Sequence, residues 1–95
     1  MLQITNTGVA LTTAITSVAG TIPNNSAGVS AKYIRIVATA AAYVRIGTGA
    51  QTAVATDMIV QPGDAVIMAT LGCTGCAALQ VAAAGVVQIS PLEDI

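Results

Sequence analysis

The chain has no histidine, no tryptophan and no phenylalanine in 95 residues, and only two aromatic residues, Tyr33 and Tyr43. Lacking histidine, it lacks the commonest general base and metal ligand at neutral pH. Lacking large aromatics, it lacks the side chains that contribute most apolar area to a small core. Charge is also scarce. Lys32, Arg35, Arg45, Asp57, Asp64, Glu93 and Asp94 make up 7% of the residues, against roughly 25% in an ordinary soluble domain. Three cations and a net charge of −1 leave no basic patch for nucleic acid and no polybasic cluster for anionic lipid.

These shortages argue against catalysis. Asp57 and Asp64 flank a strand and a turn, and Glu93-Asp94 ends the sequence. A carboxylate pair acting as acid and base needs a cleft to hold it, and a core this small offers little room for one. Gly47-Thr48-Gly49 is too short for a phosphate loop and lacks its lysine. No enzyme activity, cofactor or metal is expected. The opening Met1-Leu2-Gln3-Ile4-Thr5-Asn6 has neither a basic region nor an unbroken apolar run, so no secretory signal is expected. Residues 65–92 are uncharged, but Thr70, Gly72, Thr74, Gly75, Gln80, Gly85, Gln88, Ser90 and Pro91 interrupt them. No run of about 20 apolar residues is left to cross a bilayer as a helix.

What the chain does have is 11 valines, 10 isoleucines and 12 threonines, β-branched residues that suit a pleated, half-buried surface. Nine glycines and three prolines punctuate them. The nineteen alanines favour helix, yet the alanine runs at 40–42 and 82–84 are short and show no 3.6-residue period. Strands are expected near 2–6 and 11–18, joined by a turn at Asn6-Thr7-Gly8, and then near 31–39, 42–47, 51–55, 57–60, 64–70, 77–82 and 85–90. Residues 21–28 read as a loop, Gln61-Pro62-Gly63-Asp64 as a turn and Ala83-Ala84-Gly85 as a hairpin loop. Spacing of this kind predicts one all-β domain: a small β-sandwich or barrel, jelly-roll-like, of about eight short strands. Residues 1–30 are expected as part of that domain, as an N-terminal arm or as an extra hairpin.

In 31–39, Lys32, Ile34, Ile36 and Ala38 alternate with Tyr33, Arg35, Val37 and Thr39. Ala40-Ala41 reads as a tight connection, so 31–39 and 42–47 are expected to form a hairpin. Tyr33, Arg35, Tyr43 and Arg45 would share its polar faces as the candidate interface. Two arginines that close need an anion: Asp57 or Asp64, the Glu93-Asp94 tail of another copy, or a partner carboxylate. Alternatively their stems merely cover apolar surface. Cys73-Thr74-Gly75-Cys76 is open to three readings: unpaired thiols at a turn, a disulfide, or a redox or metal pair. The helix-opening context of a redox pair is missing, and two thiolates do not complete a zinc site. Exchanging both for serine is expected to change the melting temperature little.

Three segments, Tyr33-Ile34-Arg35-Ile36-Val37, Ala42-Tyr43-Val44-Arg45-Ile46-Gly47 and Ala53-Val54-Ala55-Thr56-Asp57-Met58-Ile59-Val60, precede Pro62-Gly63-Asp64 and a closing Val86-Val87-Gln88-Ile89-Ser90-Pro91-Leu92. This block resembles small virion proteins of tailed bacteriophages, of the capsid decoration (cement) kind. The resemblance implies a structural protein on the capsid surface, assembled in the host cytoplasm, with no catalytic residues. It implies homotrimers and a major capsid protein, or another virion protein, as partner. The alternative is a tail, connector or fibre component acting as a receptor- or glycan-binding module, although two tyrosines are few for a glycan site. Composition points to self-association independently, since so uncharged a surface exposes apolar patches.

Overall fold

Alternation of aliphatic with small or polar residues decides which segments pair and which way they face. The computed structural model of the chain describes residues 2–4, 6–29 and 31–94. Among these there are nine strands and no helix: β1 (Leu2–Ile4), β2 (Val9–Thr12), β3 (Val18–Thr21), β4 (Tyr33–Ala38), β5 (Ala42–Gly47), β6 (Met58–Val60), β7 (Val66–Ala69), β8 (Gly75–Gln80) and β9 (Val86–Asp94).

They form two antiparallel sheets. Sheet A runs β1-β9-β4-β7, with β2 also on β9, and sheet B runs β3-β8-β5-β6. The pairings nest: β5 takes β6, β4 takes β7, β3 takes β8, and β1 and β2 together take β9. A chain doubled into one long hairpin and then rolled into two facing sheets is a jelly roll. The all-β sandwich expected from the sequence is the fold.

Its connectivity differs from the sequence reading. β4 and β5 are not a hairpin; they lie in different sheets. The short link between them has each end tied to a different sheet. Thr39 N–H donates to Val86 O at 2.9 Å, and Ala41 O accepts from Val81 N–H at 3.3 Å. β8 and β9 are likewise split, so the 83–85 turn is a crossover. β1 and β2 do not pair with each other. Both lie antiparallel on β9, with Ile4 opposite Leu92 and Val9 opposite Ile89. Residues 51–55, expected as a strand, are a loop.

The core is aliphatic. Leu11, Ile22, Ile34, Ile36, Val44, Val60, Val87 and Ile89 pack with Ala42, Ala78 and Cys76. Burying each of the larger side chains contributes about 1.5–3 kcal/mol. Neither tyrosine takes part. Threonines close the ends of the sandwich. Buried Thr13 exchanges bonds with Gly85, its Oγ1 accepting from Gly85 N–H at 2.8 Å. Buried Thr70 donates through Oγ1 to Ala31 O at 2.7 Å. Each answers a buried polar group that would otherwise be costly.

Candidate interaction surface

The four residues expected to form one interface occupy opposite sides of the molecule. Tyr33 and Arg35 alternate with buried Ile34 and Ile36 and so face outward from sheet A. Tyr43 and Arg45 alternate with buried Ala42 and Val44 and face outward from sheet B. The arginines are therefore not neighbours, and the mutual repulsion expected from the sequence does not arise.

Sheet B's outer face is occupied over β3 and β8, while Ile59 of β6, opposite Tyr43, stays 47% exposed. After β5 the chain returns across it: Gly49 N–H donates to Thr74 Oγ1 at 3.3 Å, and Ala53 N–H reaches Ser17 Oγ at 2.8 Å beside β3. Gly75 faces this loop so closely that a Cβ there would collide with the Gly49 carbonyl. Beneath the loop Ala77 is fully buried. Asp57 fastens its far end, accepting from Val54 N–H at 2.8 Å and pairing with Arg45 at 3.1 Å. Asp57 is thus the anion for Arg45. In this half-exposed setting the pair contributes roughly 0–1 kcal/mol.

Sheet A's outer face carries no such loop over its β4–β7 half. The registers set Ile4, Leu92, Tyr33 and Ala69 in one row across the strands, then Ser90, Arg35 and Ile67, then Ala10, Gln88 and Val37. Ile4 is 47% exposed and Ile67 54%. Arg35 has no ion-pair or hydrogen-bond partner among the described residues, and its stem lies in the row of Ile67. Leu92 and Ser90 in these rows are buried, so the face exposes Ile4, Tyr33, Ile67 and Gln88 with one unpaired cation, Arg35.

The border of this face is β7. Thr70 N–H donates to Lys32 O at 2.9 Å. In an antiparallel ladder such pairs alternate, so Met68 and Val66 also bond to β4, while Ile67 and Ala69 present N–H and C=O outward. Nothing among the described residues takes them up. Beyond β7 the chain turns at Thr70-Leu71-Gly72-Cys73, closed by Cys73 N–H to Thr70 O at 2.9 Å. Leu71 has φ 50 and Gly72 φ 82, the two left-handed positions of a type I′ turn. The Leu71 side chain is 90% exposed. It rims a cleft of about 350 Å³ lined also by Lys32, Tyr33 and Thr70. Lys32 is the one charged residue of its lining. A second hollow of about 440 Å³, between β3 and the 49–50 loop, is lined by Gly, Ala and Thr.

The cysteines are both free. Cys73 closes the turn, but Cys76 belongs to β8 and is fully buried in the core. Burial pushes the Cys76 thiol upward in pKa, opposed by a backbone hydrogen bond with Gly20. Among the described residues no group of three or more His, Cys, Asp or Glu could hold a metal ion, and no helix is long and apolar enough to cross a membrane.

Sequence reasoning found Tyr33 and Arg35 but missed Ile67 and Leu71. The available signals were an apolar run, Val66-Ile67-Met68-Ala69, in a strand that has no polar alternation, and a leucine standing where a type I′ turn favours asparagine. Compared with known protein families, curated proteins and solved structures, the chain matches none.

Proposed function

We propose that the protein is a structural component of a viral particle, a decoration protein that associates with its own copies and clamps the major capsid protein of a phage shell. The observation that carries this reading is the asymmetry of the sandwich: the β3–β8 part of sheet B's outer face is covered by its own 48–56 loop, while the β4–β7 part of sheet A's carries exposed Tyr33 and Ile67 around unpaired Arg35. An apolar face bordered by an open strand edge is suited to packing on another protein. Binding only the assembled shell stabilises it by mass action, and weak contacts repeated over a lattice add through multivalency. Oligomer order of the homotrimer kind is what the resemblance to decoration proteins implies; the capsid surface would be the location.

The test is electron microscopy of particles assembled with and without the protein, with its copies counted. Hundreds of copies on the shell and earlier rupture of bare particles on heating are expected. A handful of copies at a tail or fibre would replace this reading with the receptor- or glycan-binding one.

A further inference from the structure

We infer that β7 is a strand-pairing edge for a second copy of this chain, joining two A sheets across a two-fold axis at Ile67. The inference rests on the proposed self-association and specifies its surface and register.

Edge strands are normally blunted by charge, proline, a bulge or a cover. The other edges here have such features. The β1/β2 edge is interrupted between Ile4 and Val9. β3 is approached by the loop bonded at Ser17. β6 has three residues and begins beside ion-paired Asp57. β7 is uncharged, proline-free and regular in register against β4, and its outward N–H and C=O groups lie at Ile67 and Ala69.

These groups fit a copy of themselves. With Ile67 opposite Ile67 of the second copy, Ala69 faces Ala65, and outward donors meet outward acceptors around a closed two-fold. The outer-face row then reads Arg35, Ile67, Ile67, Arg35. It buries two isoleucines that are each 54% exposed. It also keeps the two arginines three strand spacings apart, about 14 Å, beyond the roughly 8 Å screening length of physiological salt.

Charge selects this register. It sets Asp64 of the second copy opposite Thr70, whose other neighbour is Lys32. Asp64 and Lys32 backbones then stand two spacings apart, about 10 Å, a gap that a lysine and an aspartate side chain can close. Both are exposed and without an ion-pair partner among the described residues. The two-fold makes the contact twice. One residue further on, the same register brings Gly63 of one copy, with Pro62 beside it, toward exposed Leu71 of the other. A two-fold closes at two, so this contact makes dimers, and a trimer needs a different surface.

Disulfide trapping tests the edge. In a Cys73→Ser, Cys76→Ala background, Ile67→Cys places thiols on Cα atoms about 5.5 Å apart, within disulfide range. Dilute oxidation is expected to link this variant quantitatively and to leave Ala19→Cys on β3 unlinked. Ile67→Pro removes only an outward N–H, and it should give a folded monomer by sedimentation and circular dichroism. Lys32→Asp or Asp64→Lys alone should weaken the dimer roughly two- to tenfold, as solvent-exposed pairs do, and the double exchange should restore it. An oligomer that persists in Ile67→Pro, with no Ile67→Cys link, would overturn the β7 edge and leave self-association standing. A wild-type monomer at micromolar concentration would overturn both.

Discussion

Leu71 is held where its own chemistry does not favour it. A non-glycine residue in the left-handed region costs about 1–2 kcal/mol, and its side chain is 90% exposed, so packing within this chain does not repay that. Asparagine tolerates the position better. Leu71→Asn should therefore raise the monomer's stability by about 1 kcal/mol, a few degrees in melting temperature, while weakening association. A thermal melt alongside sedimentation checks both, and a variant that loses stability would show that Leu71 packs within its own fold. The two cysteines divide in a way the sequence concealed. Cys73→Ser is expected to be neutral. Cys76→Ser places a hydroxyl in an apolar core and should cost about 1–3 kcal/mol, which chemical denaturation would measure. Exchanging both cysteines is therefore expected to cost what Cys76→Ser alone costs, because Cys76 lies inside β8 and not in the turn where the sequence put it. Its burial raises its pKa, so above the ordinary thiol range the unfolded chain gives up a proton that the folded one keeps. Stability from this group is complete below that range and falls as pH rises through it. Cys76→Ala should flatten that part of the profile relative to the native protein.

Among the elements, the 48–56 loop shows how a small side chain sets the surface. Gly75 has no Cβ, and that lets the Gly49 carbonyl rest on β8. Gly75→Ala should lift the loop from sheet B and expose Ala77, with faster amide exchange at Gly49 and Ala53 while the β4 and β9 amides stay protected. Uniform loss of protection would mean that the loop and the sandwich unfold together. The sequence announced this element only as a short strand. Its alternation is carried by Thr52, Ala53 and Val54, too little apolar length to distinguish a strand from a loop anchored by Asp57 and Ser17. Strands with an isoleucine or valine every second position were legible: β5 begins and ends where the pattern put it, and β4 within two residues. Partnerships were not. Local sequence cannot tell a hairpin from a crossover when the connection is as short as Thr39-Ala40-Ala41, because the choice is made by distant Val86 and Val81.

For the whole molecule, the same ambiguity hid the candidate site. Tyr33, Arg35, Tyr43 and Arg45 looked contiguous because their strands looked paired, whereas β4 and β5 belong to different sheets and put one tyrosine–arginine pair on each outer face. The fold class survived this error, because it was read from the number and alternation of short strands and not from which of them pair. The charge pattern was read partly right: Arg45 does find Asp57, while Arg35 remains the cation on the apolar side. Arg35→Ala should accordingly weaken association or particle binding without altering β-rich circular dichroism. Arg45→Ala should leave assembly unchanged and loosen the 48–56 loop. Equal effects of the two on assembly would mean that both faces are engaged.

β9 pairs with β1, β2 and β4, and it follows all of them in the chain. Until residues 86–94 leave the ribosome, sheet A has β4 beside β7 and no centre, and Ile34, Ile36 and Leu11 have no wall at Val87 and Ile89. Folding must then wait for the most distant pairing in the molecule, which is the slow route for a β topology, milliseconds to seconds. Stopped-flow refolding should show one such phase, and a chain ending at Gly85 should show no cooperative unfolding.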